Sequence, residues 1–363
     1  MLLNKFSDYY KKFEIYISLI GFSFGLIFTF LTLTRVDAFW ENFWIIINLL
    51  IVAVGILAMT LFENKAEQKN EEEKNKINFY LTLIIQFAFG GLFATYFVFY
   101  VQSASFSDSW FFILILLFLL IGNEVWKKYY ERLSFQISFF FLSLYLFLTF
   151  LLPVIFHRLG ADLFVLAGIL SLIITFFFTL LLRKFSQEKF KVSHNILKIS
   201  LGSIFILMNV LYFTDIIPPI PLSLNQVGVY HSIVKDGKGN YLVELESSVW
   251  QDYFKRYPVF HKRPGETVYV FSAIFSPVKF ATEIVHQWQY YDEVKKEWID
   301  SSKISLPITG GRAEGYRTYS LKYDITQGYW RVKVLTSSGQ TLGKINFKIE
   351  EVEKNQDHVV KTM

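Results

Sequence analysis

The chain lacks cysteine, which limits both its chemistry and the ways in which it can be stabilised. None of its 363 residues is Cys, so disulfide bonds, cysteine-ligated zinc and thiol nucleophiles are excluded. Asn-x-Ser/Thr glycosylation sites are absent as well. A Phe, Ile, Lys and Asn-rich chain without cysteine fits a bacterial protein better than a eukaryotic secreted one. Any region outside the cytoplasm must then rely on its apolar core, which about 140 residues can supply.

Motifs of several enzyme classes are also missing. The chain has no His-Glu-x-x-His zinc motif, no phosphate-binding loop and no dinucleotide fingerprint. Its six His residues are scattered along the sequence, whereas a metal site needs clustered His and carboxylate side chains. The sequence therefore predicts no catalytic residue, no metal site and no cofactor, and it favours a protein that is not an enzyme.

Long apolar runs dominate the first three-fifths of the chain, in which Phe is especially frequent. Crossing a hydrocarbon core takes ~20 mostly apolar residues in a helix, because lipid offers backbone amides no hydrogen-bond partners. Seven runs qualify, at 13–34, 43–62, 79–102, 110–126, 135–156, 163–182 and 196–217. We therefore predict a polytopic membrane protein whose residues 1–217 form a bundle of seven transmembrane helices.

Lys and Arg residues are distributed unevenly among the connections between these runs. The amino-terminal segment and the second, fourth and sixth connections contain 15 of them, and the alternate connections contain 2, Arg35 and Arg158. Cytoplasmic loops carry the excess of positive charge. The count predicts a multi-pass protein of a bacterial cytoplasmic membrane with a cytoplasmic amino terminus and an extracytoplasmic carboxy-terminal domain. The net charge of +5 then indicates contact with lipid headgroups and not with nucleic acid.

The first apolar run permits two interpretations. Lys-rich residues 1–12, the run itself and Val36-Asp37-Ala38 resemble a signal peptide with a cleavage site. The run is longer than the ~7 to 15 apolar residues of a usual signal peptide. Gly21 and Gly25 give it the small-residue spacing of a packed membrane helix. We expect it to be retained as a transmembrane helix.

The middles of the seven runs contain no Asp, Glu, Lys, Arg or His. Ionisable groups at that depth are costly and usually mark a transport path, so proton-coupled or sodium-coupled transport is disfavoured. Three polar residues do lie there, Asn48, Gln86 and Asn209. They form either a small polar site inside the bundle or interhelical hydrogen bonds worth ~1 kcal/mol each, and we favour the second interpretation.

The character of the sequence changes near residue 220. Prolines at 218, 219 and 221 end the last apolar run, because proline cannot continue a helix. Alternating apolar and polar residues follow, interrupted by turn signals, which is typical of short strands. We predict a Pro-rich linker at 218–224, an immunoglobulin-like antiparallel β-sandwich at 225–350 and a polar, disordered tail at 351–363.

Several short motifs lie in the carboxy-terminal region. They are Phe271-Ser272-Ala273 with Pro277, His286-Gln287-Trp288, Gly315-Tyr316-Arg317-Thr318-Tyr319-Ser320 and Gly328-Tyr329-Trp330-Arg331-Val332-Lys333-Val334, followed by Gly339 and Phe347. With these motifs, residues 265–350 resemble the bacterial domain of unknown function 2914. The resemblance implies a small extracytoplasmic β-domain that is often attached to membrane segments. It implies no catalytic role for any residue.

Six aromatic and basic side chains in these motifs are candidates for a binding surface. They are His286, Trp288, Arg317, Tyr319, Trp330 and Arg331. An aromatic platform flanked by His and Arg can stack on a sugar ring or bind an anionic group. In the alternative interpretation, the two tryptophans fill the core, and the His and Arg side chains bond to loop carbonyl groups.

Two functions remain open at this point. The first is a non-enzymatic membrane protein, surrounded by membrane lipid, that displays an extracytoplasmic binding module for an envelope glycan or a protein partner. The second is a membrane-embedded carrier or enzyme that acts on a lipid-linked or envelope glycan. A cavity lined by Asn48, Gln86 and Asn209 would favour the second function, and an aromatic groove on the β-domain would favour the first.

Overall fold

A computed structural model describes most of the chain. The described residues are 27, 29–33, 38–65, 71–103, 106–219, 222–237, 240–246, 255, 257–275, 282–308, 316–353 and 357–363. The chain divides into two compact units. Unit 1 comprises Met1–Val101, Ile113–Leu148 and Gly168–Ile204, and unit 2 comprises Gln102–Phe112, Thr149–Ala167 and Phe205–Met363.

Seven helices, six of them α-helices, are described in the predicted membrane region. They are α1 (Phe39–Lys65), α2 (Glu71–Ser103), α3 (Phe106–Val125), a 3-10 helix (Lys127–Glu131), α4 (Leu133–Phe156), α5 (Ala161–Phe185) and α6 (Gln187–Phe213). Each α-helix contains most of one predicted apolar run. The first predicted run, 13–34, lies outside the described residues apart from positions 27 and 29–33.

Five segments of these helices are long and apolar enough to cross a membrane. They are Phe39–Phe62, Lys76–Ser103, Leu133–Phe156, Ala161–Phe185 and His194–Phe213, and a shorter apolar helix covers Ser109–Val125. The described helices are therefore consistent with membrane insertion. The direction of insertion stays a prediction.

Burial differs strongly among these membrane-length helices. In the most apolar stretch of α4, 78% of the residues are buried, compared with 28% in α5 and 22% in α6. Aromatic rings fill the buried side: Phe93 and Phe139 meet edge to face, with ring centroids 5.4 Å apart at an interplanar angle of 88°, an arrangement that aromatic pairs prefer. The apolar side chains of α5 and α6 mostly point outward, as those of lipid-facing helices do.

Eleven strands are described beyond residue 222. They are β1 (Ser223–Tyr230), β2 (Ser232–Lys235), β3 (Tyr241–Glu246), β4 (Val259–Lys262), β5 (Val268–Phe275), β6 (Thr282–Asp292), β7 (Glu297–Ile308), β8 (Tyr316–Lys322), β9 (Gly328–Thr336), β10 (Thr341–Glu351) and β11 (His358–Thr362). They form a middle sheet β1-β5-β8, a large sheet β4-β10-β9-β6-β7 and a small sheet β11-β3-β2. The strand pairs are antiparallel except for β4 with β10.

Two apolar layers hold the three sheets together. Val270 of the middle sheet packs with Trp288 and Val332 between the middle and large sheets. Phe271 packs with Ile233 between the middle and small sheets. Successive side chains of a strand point to opposite faces, so neighbours such as Val270 and Phe271 enter different layers. The middle sheet is therefore covered on both faces.

The β-rich region differs from the predicted sandwich in its number of sheets and in its tail. Its antiparallel β character is confirmed, but three sheets are present and an immunoglobulin-like arrangement is not confirmed. The prediction of a disordered tail is wrong for His358–Thr362, which forms β11, where Val359 pairs with Leu245. Met363 and Tyr241 exchange two backbone hydrogen bonds of 2.8 and 3.2 Å. Order in this segment comes from a distant strand partner, which local sequence does not encode.

Candidate functional site

The six predicted binding residues lie in three different places within unit 2. His286, Trp288 and Trp330 lie in the interior between the middle and large sheets, Arg331 lies on the outer face of the large sheet, and Arg317 and Tyr319 lie on the side of the middle sheet that faces the small sheet. They do not form one continuous platform.

His286 is fully buried and lies between two serine hydroxyls. Its Nε2 atom is 2.8 Å from Ser272 Oγ, and its Nδ1 atom is 2.8 Å from Ser320 Oγ. Burial lowers the pKa of His286 to about 4, so the ring is neutral at pH 7. A histidine base that activates serine is usually oriented by a third group, whereas both ring nitrogens here are occupied by hydroxyls. The arrangement bridges the two sheets.

The hydrogen-bond directions in this buried group are mutually consistent. The Trp288 indole N–H donates to Ser320 Oγ at 3.0 Å. A neutral imidazole has one donor and one acceptor nitrogen. The Ser320 hydroxyl can therefore donate to His286 Nδ1, and His286 Nε2–H can donate to Ser272. Each of these buried polar groups then has a partner, which removes the cost of burying it unsatisfied.

Three further predicted residues, Trp330, Arg317 and Tyr319, also make contacts within the fold. The Trp330 indole N–H donates to the Thr326 carbonyl oxygen at 2.8 Å. Arg317 Nη1 donates to the Met363 carbonyl oxygen at 3.0 Å, which joins the segment after β11 to the middle sheet. The ring of Tyr319 lies beside Tyr241 with centroids 6.0 Å apart.

A connected group of side chains lies on the outer face of the large sheet. We call it the Trp298 surface, and it consists of Gln287, Gln289, Trp298, Asp300 and Arg331. The guanidinium carbon of Arg331 is 4.3 Å from the centroid of the Trp298 ring, and Arg331 Nε donates to Gln289 Oε1. Strand register explains the grouping, because Gln289 lies opposite Arg331 on one side and Asp300 on the other.

Asp300 is the charged centre of the Trp298 surface. Gln289 Nε2 donates to its carboxylate, and Gln287 Nε2 lies 2.7 Å from both carboxylate oxygens. The hydrogen bond from Gln289 lowers the pKa of Asp300, and Gln287 and Lys303 lower it further. Its side chain is 47% exposed. The surface therefore presents an ionised carboxylate, held by two buried carboxamides, and a part-exposed aromatic ring capped by a cation.

Sequence reasoning did not identify Trp298 or Asp300 as site residues. Acidic and basic residues alternate around them and are typical of a solvated turn. The hairpin formed by β6 and β7 could have identified them. Its turn lies at 293–296, and the strand register beside the turn pairs Tyr291 with Trp298. Extending that register by two residues places Gln289 opposite Asp300.

A second polar cluster involves strands of the small sheet. His231 Nδ1 lies 2.7 Å from Glu266 Oε1, and its Nε2 lies 3.4 Å from Glu246 Oε1. The His231 ring stacks on Phe260 and His358, with centroids 4.3 and 4.1 Å away. Burial acts to lower the pKa of His231, but the two carboxylates outweigh burial and raise it. Within the described part of the chain, no group of three or more His, Asp and Glu is arranged to hold a metal ion.

The three predicted intramembrane polar residues have different environments. The Gln86 side-chain Nε2 donates to the backbone carbonyl oxygen of Asn123 at 3.0 Å, and the Asn123 side-chain Nδ2 donates to the backbone carbonyl oxygen of Gln86 at 3.2 Å. The Tyr130 hydroxyl donates to Asn123 Oδ1. Asn48 and Asn209 each donate from Nδ2 to the carbonyl oxygen four residues earlier on their own helices, at 2.9 and 2.8 Å.

A cavity of about 580 Å³ lies beside Gln86 and Asn123 in unit 1. Gly91 lines it, and a Cβ atom at that position would lie 3.4 Å from Asn48 Oδ1. Asn209 is not among its described lining residues. The volume is in the ~300 to 1,000 Å³ range of ligand pockets. Of the three predicted polar residues, Gln86 alone is among the described lining residues, and Asn48 lies behind Gly91.

Comparison with known proteins gives one family match. No curated protein matches the chain. A solved structure of Pseudomonas fluorescens alkylpurine DNA glycosylase AlkC bound to DNA containing an abasic site analog is 10% identical, over 85% of this chain and 99% of that chain, at a TM-score of 0.21, which is too low to carry an argument. Residues 281–349 match the family described as Protein of unknown function (DUF2914), and this stretch contains the whole Trp298 surface.

Proposed function

We propose that this chain is an integral membrane protein whose β region, on the extracytoplasmic side of a bacterial cytoplasmic membrane, is a binding module for an envelope glycan. The Trp298 surface is the observation that supports a glycan most directly. Membrane-length helices and the uneven distribution of Lys and Arg support the location. The proposed activity is binding, without a catalysed reaction.

The chemistry of the Trp298 surface suits a ligand with hydroxyl groups and an apolar ring face. The Trp298 ring and the Arg331 guanidinium that caps it are both part-exposed, and the carboxylate of Asp300 can accept hydrogen bonds from hydroxyls. Trp and Arg are enriched among the residues that contribute most to binding. Because Gln289 and Asp300 already hold one another, little side-chain freedom remains to be lost when a ligand binds.

Co-sedimentation with isolated cell-wall glycan tests this proposal. The purified full chain in lipid nanodiscs is mixed with peptidoglycan from which proteins have been removed by protease. Trp298→Ala and Arg331→Ala should each weaken binding by about 10-fold or more, as expected for residues at the centre of a binding surface. Arg263→Ala is the matched control, because it removes one exposed guanidinium from the turn after β4 and should leave binding unchanged.

Two outcomes would contradict a glycan-binding module. One is equal binding by the wild type and by the Trp298 and Arg331 variants. The other is binding that occurs only to cell walls not treated with protease, which would indicate a protein partner on the same surface.

The cavity beside Gln86 supports a second candidate function, a carrier or enzyme for a lipid-linked glycan. In that case a polyprenyl-linked sugar should co-purify with the wild type and be lost in Gln86→Leu, as measured by mass spectrometry of extracted lipids. Asn209→Leu is the control, because it removes an intramembrane carboxamide that is not among the described lining residues of the cavity. Equal recovery from the two variants would argue against this candidate.

A further inference from the structure

A groove of about 610 Å³ separates parts of α5 and α6 in unit 1. Three basic side chains, Arg183, His194 and Lys198, line this α5–α6 groove. The remainder is mostly apolar and includes Phe176 and Leu180. The groove therefore has an amphipathic lining of basic and apolar side chains.

Helix geometry places the three basic residues on the faces of α5 and α6 that line the groove. Arg183 lies in the last turn of α5, and His194 begins the membrane-length part of α6. His194 and Lys198 are four residues apart, which places them on the same face of α6. Ser186 is the single residue between the two helices, so the end of α5 and the start of α6 lie at the same side of the membrane. None of the described residues that line the groove is acidic.

The whole groove is about as long as one leaflet of a bilayer is thick. Its lining on α5 extends from Leu172 to Arg183, and 11 residue steps span about 16 Å at ~1.5 Å per residue. Half of a hydrocarbon core of ~30 Å is about the same length. Because only 28% of α5 and 22% of α6 are buried in their apolar parts, lipid is the medium that these helices meet.

We propose that the α5–α6 groove is a binding site for an anionic phospholipid. The phosphate lies among Arg183, His194 and Lys198, and an acyl chain follows Phe176 and Leu180 toward the bilayer centre. Basic pockets between membrane helices bind anionic lipid headgroups through the same combination of charge and apolar contact. The site is separate from the proposed glycan-binding module, and neither depends on the other.

Competition between two lipids in the full chain tests the site. The purified protein in detergent micelles is equilibrated with equal amounts of phosphatidylglycerol and phosphatidylcholine, and bound lipid is counted by native mass spectrometry. The wild type should retain phosphatidylglycerol in preference. Arg183→Gln with Lys198→Gln should weaken retention by about 30-fold, which corresponds to ~1 kcal/mol for each charge near the surface.

Matched controls test whether lipid retention depends on the residues that line the groove, and not on the overall charge or on exposed apolar side chains in general. Lys184→Gln with Lys76→Gln removes two charges predicted to lie on the same side of the membrane, and neither residue is among those that line the groove. This control should retain phosphatidylglycerol as the wild type does. Phe176→Ala should weaken retention several-fold, whereas Phe177→Ala, which removes an exposed neighbour outside the groove lining, should not.

Three outcomes would overturn the proposal. They are equal retention of the two lipids by the wild type, equal losses in the two double variants, and displacement of bound phosphatidylglycerol by soluble glycerol 1-phosphate at a similar concentration. The last result would indicate a phosphate site that does not use the apolar part of the groove.

Discussion

His286 should make the stability of the β region depend on pH in a predictable direction. Burial lowers its pKa from the usual 6.5 to about 4 in the folded state. The unfolded chain therefore binds a proton between these pH values that the folded chain does not bind. Stability must fall as the pH falls through this window, and it is fully present above the unfolded pKa.

The size of the His286 effect follows from the pKa difference. A proton bound only by the unfolded state changes the free energy of unfolding by about 1.4 kcal/mol per pH unit. Integrated from pH 7.5 to pH 4.5 with the two pKa values of His286, the loss is about 2.5 kcal/mol. This is a large part of the ~5 to 15 kcal/mol that stabilises a typical domain.

Urea unfolding of residues 222–363, followed by tryptophan fluorescence, measures this effect against His286→Gln. Glutamine does not titrate, and its amide can still donate to Ser272. The two proteins share their carboxylates and His231, so those titrations cancel when one stability curve is subtracted from the other. The difference should shrink by about 2.5 kcal/mol between pH 7.5 and pH 4.5. Parallel curves would refute a buried, neutral His286.

Three further predictions separate the core of the β region from its surface. Residues 222–363 expressed alone should unfold cooperatively with a β-type circular dichroism spectrum, and a mainly helical spectrum would contradict the fold. Trp288→Ala should cost about 3 to 5 kcal/mol of stability and Trp298→Ala about 1 kcal/mol or less; equal losses would show that both rings are core. Arg317→Ala removes the donor to Met363 and should speed amide hydrogen exchange in His358–Thr362, whereas unchanged exchange would show that this bond does not hold β11.

The helices of the membrane region were predictable from sequence because their cause is local. A run of apolar residues such as 135–156 must form a helix in lipid, and α4 covers it. The basic interruption between the runs 163–182 and 196–217 was visible as well, but the helices extend into it and leave only Ser186 between α5 and α6. The pairing of Gln86 with Asn123 was not predictable, because it depends on how two separate helices pack.

The β region shows where local patterns lose their information. Alternation predicted strands such as β9 and β10, since one face of each contacts the core. It did not predict that β11 pairs with β3, because Val359 and Val360 are exposed and the pairing is made by backbone groups. The assignment of strands to three sheets likewise depends on contacts between residues far apart in sequence.

The candidate site was predicted only in part, for a related reason. Residue type made His286 and Trp288 candidate binding residues, with a core position for Trp288 as the favoured alternative. Their strand positions direct both side chains into the interior, as that alternative expected for Trp288. Arg331 lies beside an aromatic ring, but that ring is Trp298 and not its sequence neighbour Trp330, and a binding role for Arg331 stays a prediction. Strand register decides such partnerships, and residue type alone does not.

The location of the β region is the central claim, and reporter fusions at Met363 test it most directly. Alkaline phosphatase is active only outside the cytoplasm, and green fluorescent protein, exported through the general secretory route, is fluorescent only inside it. The uneven distribution of Lys and Arg predicts that the alkaline phosphatase fusion is active and that the green fluorescent protein fusion is not fluorescent. An inactive phosphatase fusion together with a fluorescent protein fusion would place the β region in the cytoplasm and contradict a module displayed to the cell envelope.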